Sequence, residues 1–203
     1  MFKAYWSLED VPEDQGYTAL AIGNFDGLHR GHIEILERTK REARRLGGEA
    51  VVLTFDPHPT TVVRPEHAPA LLMTPAERVR HFDRYGLDAA VVLAFTPEIA
   101  SLSPADFVRT ILVGKLRARS VVVGESFRFG HQQSGTLAVL RALGRDLNFE
   151  THDVRPVMAV GRTVSSTAIR ELVRAGKVEA AHRLLGRPFS VVGEVVPGKG
   201  ITG

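Results

Sequence analysis

The sequence predicts an α/β protein with a doubly wound parallel sheet, and two observations carry that expectation. Apolar runs alternate with amphipathic, helix-patterned segments along the chain. Several of the runs are apolar almost without a break, as in Ala89-Ala90-Val91-Val92-Leu93. A strand of this kind must be covered on both faces, which a parallel sheet flanked by helices provides. A length of 203 residues allows one complete domain and a short surplus, since a domain typically takes about 100–200 residues. With 44% hydrophobic and 24% charged residues, disordered and collagen-like chains are excluded.

Strands are expected over residues 17–22, 50–55, 89–95, 120–123 and 147–154. Between the first two, residues 32–46 place Leu36, Thr39, Ala43 and Leu46 at helical spacing. Arg38, Arg41, Arg44 and Arg45 share the other faces with Glu37 and Glu42, and Gly47-Gly48 stops the helix. Thr74-Pro75-Ala76-Glu77 and Ser103-Pro104-Ala105-Asp106 each join a cap, a proline and an acidic residue, the arrangement that opens a helix. Ser165-Ser166-Thr167 opens another ahead of Ile169, Leu172 and Val173, with Gly176 at its end. From Pro188 the chain turns β-rich and glycine-punctuated.

Composition narrows the function. Lysine plus arginine exceed aspartate plus glutamate by 26 to 23, a net +3, which suits an anionic ligand but is too mild to imply nucleic-acid binding. There is no cysteine, so disulfides, thiolate metal sites and cysteine nucleophiles are excluded. No apolar stretch approaches the roughly 20 residues of a membrane span, and the amino terminus lacks a signal-peptide core. A soluble, cytoplasmic protein with no membrane or nucleic-acid partner is expected; the sequence sets no oligomeric state.

The most informative segment is Gly23-Asn24-Phe25-Asp26-Gly27-Leu28-His29-Arg30-Gly31-His32, between the first strand and the first helix. In open α/β sheets, ligands bind at the carboxyl ends of strands, where helix amino termini face anions. His29 and His32, three apart, can share one site in the opening helical turn, with Gly31 leaving the backbone open. A lone histidine there would be a cap or a surface residue; the pair with its glycines suits a phosphate. No GxxxxGK[ST] occurs and no GxGxxG follows the first strand, so a P-loop kinase and a Rossmann dinucleotide site are unsupported.

This segment resembles the HxGH signature of the nucleotidylyltransferases. Its longer form GNFDGxHxGH resembles the prokaryotic FAD synthetases, in which an FMN adenylyltransferase module is usually fused to a riboflavin kinase. Further stretches agree in order: Thr54-Phe55-Asp56-Pro57-His58-Pro59 with TFxPHP, Val123-Gly124-Glu125-Ser126-Phe127-Arg128-Phe129-Gly130 with GxDFRFG, and Ser165-Ser166-Thr167-Ala168-Ile169-Arg170 with SSTxIR. Leu185-Gly186-Arg187-Pro188-Phe189 is similar to the hinge ahead of the kinase module.

The resemblance implies transfer of AMP from Mg-ATP to FMN, giving FAD and pyrophosphate. Magnesium would enter with ATP, held by phosphate oxygens and water, and no protein metal ligand is named. His29, His32 and Arg170 are the implied catalytic residues. ATP contacts fall on Gly23, Asn24, Phe25, Asp26, Gly27, His29, His32, Ser165, Ser166, Thr167 and Arg170. Two readings stay open for Asp26, which can hold its own loop or bind the nucleotide. The flavin contacts implied are Asp56, Pro57, His58, Pro59, Ser126, Phe127 and Phe129. Phe127 and Phe129, two apart, would lie on one strand face. His58 can equally bond within its own loop. Ser126 stands where relatives often carry Asp or Asn, which shortens one polar contact. His67, His81, His131, His152 and His182 read as surface or structural. The competing readings are an HxGH transferase with another phosphorylated acceptor, and a non-catalytic phosphate-binding module.

The surplus then has an expected identity. Residues 1–187 form the adenylyltransferase domain, and residues 188–203 resemble the opening of the kinase module without its GR and PTAN-type residues. Riboflavin kinase activity is not expected of this chain.

Overall fold

Strands β1 (Lys3–Tyr5) and β2 (Thr18–Ile22) are followed by helix α1 (Arg30–Leu46), strand β3 (Glu49–Asp56) and helices α2 (Pro59–Val63) and α3 (Pro75–Arg84) in the computed structural model, which describes residues 1–194 and residue 196. Next come β4 (Ala89–Ala94), α4 (Pro97–Ser101), and α5 (Pro104–Asp106), which continues as a π-helix over Phe107–Lys115. The chain closes with β5 (Ala118–Gly124), α6 (Leu137–Leu147), β6 (Glu150–Val154), the hairpin β7 (Met158–Ala159) and β8 (Arg162–Thr163), α7 (Ser166–Arg174) and α8 (Val178–Leu185).

Six strands form one sheet in the order β1-β4-β3-β2-β5-β6, every pair parallel. The chain leaves β2 toward β3 and β4 on one side and returns to β5 on the other, so the sheet reverses its order beside β2. That reversal opens a crevice at the carboxyl ends of the strands, the ligand position of open α/β sheets.

The two faces differ in side-chain size. Ala19, Ala21, Ala50 and Ala90 face α1 and α3, and their small size lets the helices approach the sheet. Leu20, Ile22, Val51, Leu53, Val91, Val121 and Val123 fill the opposite face against the π-helix and α6. A third cluster joins Leu72 to Ile169, Leu172, Leu184 and Leu185, fixing α7 and α8 beside the loop that precedes α3.

The parallel sheet is as expected, and three of the element readings need correction. Residues 147–149 are not strand: α6 runs to Leu147, and Asn148 closes it in the left-handed conformation (φ 58). Asparagine tolerates that conformation because its short polar side chain can bond locally. Phe127 and Phe129 also lie outside any strand, in the loop after β5, although Phe129 pairs with Gly135 in an isolated bridge. Thr74 forms the full capping box with Glu77, as read from the sequence. The helix opened by Ser103 becomes a π-helix after one turn; a side chain on Gly114 would lie 2.8 Å from the carbonyl oxygen of Arg109, a close approach that glycine permits. In the carboxyl-terminal segment, residues 188–194 carry no strand, and the rest of the expected β-rich tail, residue 195 and residues 197–203, lies outside the described residues. No helix among the described residues is long and apolar enough to cross a membrane.

Candidate active site

The loop between β2 and α1 is pinned by its own apolar residues. Phe25 and Leu28 are fully buried, and Phe25, Gly27 and Leu28 all have positive φ (49, 84 and 39). At Gly27 an added Cβ would lie 2.7 Å from the Leu72 side chain, so only glycine fits both the conformation and the space. The turn delivers His29 to the amino terminus of α1, where its Nδ1 accepts the His32 backbone N–H at 3.3 Å. The two imidazoles stack with centroids 3.6 Å apart. A Cβ on Gly31 would press within 3.3 Å of the His29 ring, so that glycine makes room for the ring as well as for a ligand.

Burial keeps both rings neutral. It pulls the His29 pKa down to about 4, against the small upward pull of its backbone hydrogen bond. His32 is held well below the ordinary histidine value, by burial first and by His29 second. Because Nδ1 of His29 is an acceptor, its proton is assigned to Nε2. His32 Nδ1 is buried without a partner, and a phosphate oxygen would supply one. A phosphate beside the rings would also raise both pKa values, since a nearby opposite charge favours the protonated form.

The neutral pair makes stability depend on pH. The folded His29 value lies below the unfolded one, so its contribution is complete above about pH 6.5 and is lost as the pH falls toward 4. From the shift alone that loss is about 3 kcal/mol. Urea midpoints measured between pH 7.5 and 4.5 should therefore fall on the acid side, and His29→Gln should flatten the decline. An unchanged slope in that variant would contradict the assignment.

Asp26 is 2% exposed, and its carboxylate accepts the Leu72 N–H at 2.9 Å and the Met73 N–H at 3.0 Å, and pairs with the Arg170 guanidinium. Its acceptor positions are thereby taken, so of its two readings the structure favours the one that holds the loop. Arg170 also donates Nε–H to the Ala70 carbonyl at 2.7 Å. The hydroxyls of the next segment divide their tasks. Ser165 caps α7 through the Ala168 N–H, Ser166 donates to the Asp26 carbonyl at 2.8 Å, and Thr167 is exposed. The segments 23–32 and 165–170, far apart in the chain, thus form one hydrogen-bonded unit.

On the other side of the loop lies a cleft of about 940 Å³ whose lining includes Gly23, Asn24, Phe55, Pro59, Ser126, Phe127 and Phe129. Phe127 and Phe129 stack 5.5 Å apart, and Phe107 from the π-helix packs on Phe129 at 5.9 Å. Phe129 is only 7% exposed, so Phe127 offers more of its surface to the cleft. Pro59 and Ser126 reach the cleft as the resemblance implies; Asp56, Pro57 and His58 are not part of its lining. His58 turns instead to Asn24, with its Nε2 3.0 Å from the Asn24 amide. Phe25, expected among the ATP contacts, has its side chain in the core against Phe82 and His32, which leaves only its backbone available.

Two arginines escaped the sequence reading. Arg78 of α3 is 3% exposed and donates to the Asn24 carbonyl (2.7 Å), Thr54 Oγ1 (2.7 Å) and the Phe55 carbonyl (3.0 Å), joining the ends of β2 and β3. Its signal was an arginine on the same helical face as Phe82, four residues on. Arg187, after α8, donates to the Gly27 carbonyl at 2.8 Å; the sequence carried no signal for that contact.

Comparison with known proteins identifies the family. The family described as FAD synthetase matches residues 11–168. A bifunctional riboflavin kinase/FMN adenylyltransferase of Pseudomonas fluorescens is 39% identical over 188 residues, 93% of this chain and 60% of that protein. The Escherichia coli (strain K12) protein of the same name is 31% identical over 198 residues, 98% of this chain and 63% of that one. This chain therefore spans about 60% of the length of these curated relatives. Among solved structures, a Streptococcus pneumoniae protein described as a macrolide-efflux protein superposes with a TM-score of 0.82 at 29% identity, covering 93% of this chain and 62% of the other. A pantoate-beta-alanine ligase from Francisella tularensis shares the fold, with a TM-score of 0.55 at 14% identity over 90% of this chain and 85% of its own. By its family match and by the segments gathered around the loop after β2, the chain belongs to the FAD synthetase family.

Proposed function

We propose that this chain is an FMN adenylyltransferase, moving AMP from Mg-ATP to FMN to give FAD and pyrophosphate. One observation carries the reading: a single loop, residues 23–32, borders an aromatic-lined cleft at one end and presents the stacked histidine pair at the other. A planar flavin in the cleft would point its phosphate along the loop toward an ATP bound at the histidines. The names of the relatives support the same chemistry.

In the reaction an oxygen of the FMN phosphate attacks the α-phosphorus of ATP. The bond from that phosphorus to the bridging oxygen breaks, and pyrophosphate leaves. No enzyme nucleophile is needed, so the chain's task is to position two anions and to stabilise the charge on the five-coordinate phosphorus. His29, through Nε2–H, and His32 donate to the α-phosphate oxygens and take on positive character as the anion arrives. Ser165, Ser166, Thr167 and the amino-terminal amides of α7 lie beside the leaving β- and γ-phosphates. Arg170 serves the same group, its bond to Asp26 competing with the incoming phosphate. Gly23 to Gly27 bring the backbone close to the nucleotide.

Magnesium accompanies ATP. Its fit follows from the donor set: the Asp26 carboxylate is occupied by two amides and a guanidinium, which suits an ion held by phosphate oxygens and water. Pro59, Ser126, Phe127 and Phe129 bound the flavin, while Asp56, Pro57 and His58 shape the loop behind it. On this reading residues 1–187 are the adenylyltransferase domain and residues 188–203 the start of a kinase-like module. A cytoplasmic location is in keeping with ATP and FMN as substrates.

The test is an acceptor screen. Purified protein is given Mg-ATP or Mg-CTP with FMN, nicotinate mononucleotide or phosphopantetheine, and pyrophosphate release is measured. Release with ATP and FMN alone is expected. Release with another pair, and none with FMN, would assign the chain to a different acceptor; no release with any pair would leave a phosphate-binding module.

A further inference from the structure

Asn24, which borders the cleft, is held at both its backbone and its side chain. Its carbonyl accepts Arg78 Nη1–H at 2.7 Å and the Thr54 hydroxyl at 3.2 Å, so the backbone is fixed by β3 and α3 together. Its side-chain amide is fixed by His58, and the protons on that ring decide which way the amide faces. His58 Nδ1 accepts the Thr60 backbone N–H at 3.2 Å, so Nδ1 carries no proton and the neutral ring bears its proton on Nε2. Burial, and the positive charges of Arg170 and Arg78, lower the His58 pKa despite the opposing pull of Asp26, which keeps the ring neutral.

His58 Nε2–H is thus a donor, lying 3.0 Å from the atom placed as Asn24 Nδ2, which would also be a donor, so the two ends of the amide are exchanged. The end of the amide that faces it must be the oxygen, because a donor facing a donor forms no bond. The nitrogen and oxygen of an amide are assigned from such networks. With Oδ1 held by His58, the NH2 group turns to the opposite side, where Asn24 lines the cleft.

We propose that Asn24, held by His58, donates its amide N–H to the phosphate of the flavin mononucleotide and thereby distinguishes the phosphorylated flavin from riboflavin. The inference rests on the adenylyltransferase reading and reassigns Asn24 from the expected ATP contacts to the acceptor. Position supports it. Asn24 stands on the loop between the aromatic wall and His29, so the part of the ligand that passes it is the part that must reach ATP. The guanidinium of Arg78 holds the Asn24 carbonyl from the side of α3 and so fixes the backbone that carries the amide. His58 is a positioning residue, acting through the amide it orients.

The test is a pair of fluorescence titrations, FMN and riboflavin, on the unaltered protein and on Asn24→Ala, Asn24→Asp and His58→Ala. The unaltered protein should bind FMN more tightly than riboflavin. Asn24→Ala should raise the FMN Kd by about tenfold, the size of one hydrogen bond to a charged group, with riboflavin affinity unchanged. Asn24→Asp should weaken FMN further by repulsion. His58→Ala should weaken FMN in the same selective way but by less, because the amide is then free to rotate. Retained riboflavin binding reports that each variant is folded.

Parallel weakening of both flavins in the Asn24 variants would overturn the proposal, as would an unchanged ratio of the two affinities. If the unaltered protein forms FAD and only the ratio fails to move, this inference falls and the adenylyltransferase reading stands. If the unaltered protein binds neither flavin, both fall together.

Discussion

Replacing His29 by alanine should lower kcat for FAD formation by about 100- to 1,000-fold, the usual cost of removing one donor aimed at a developing charge, while FMN affinity hardly changes. The separation follows from position. His29 lies at the amino terminus of α1, stacked on His32, whereas the flavin cleft is bordered by Gly23, Asn24 and the phenylalanines. Removing the ring also removes the cap of α1, worth about 1 kcal/mol, which is small beside the roughly 5–15 kcal/mol that holds a domain folded. The variant should therefore stay folded and bind FMN. Steady-state kinetics together with an FMN titration check the result. A kcat within a few-fold of the unaltered enzyme would remove His29 from the transition state.

The largest stability effect should come from Asp26→Ala. The substitution leaves the largely buried Arg170 guanidinium without its carboxylate and the Leu72 and Met73 amides without an acceptor. Breaking one side of a buried pair costs about 3–5 kcal/mol, and the orphaned amides add to it. Activity should disappear as well, because Asp26 ties the histidine loop to α7, the helix opened by Ser165. Urea unfolding measures the first effect and FAD formation the second. A loss under about 1 kcal/mol, below the range for a broken buried pair, would show that Phe25, Leu28 and the backbone contacts of Arg78, Ser166 and Arg187 hold the loop without the carboxylate.

The sheet and the helix starts were legible because their signals are local. Unbroken apolar runs mark strands covered on both faces, and a hydroxyl three residues before an acidic group, as at Thr74, satisfies free amides within a single turn. The histidine pair was legible for the same reason, since its spacing of three lets both rings face one site in the opening turn. What escaped depends on partners distant in the chain. Asp26 left two readings open because its partner Arg170 lies 144 residues away. Arg78 looked like one more basic residue on a helix, and its role exists only because β2 and β3 end side by side. The aromatic pair at Phe127 and Phe129 was raised by the family resemblance alone, and the strand that its spacing suggested is absent; the rings stack across a loop instead. The strand reading for residues 147–149 failed because Asn148 can adopt a positive φ and end α6 there.

The central claim is that this chain joins AMP to FMN. It is tested most directly with ATP labelled at the α-phosphate, incubated with FMN, magnesium and the purified protein. The account predicts that the label appears in FAD, in amounts equal to the pyrophosphate released, and that His29→Ala abolishes most of it. Label remaining in ATP while the protein binds both substrates, or label transferred to an acceptor other than FMN, would contradict the account.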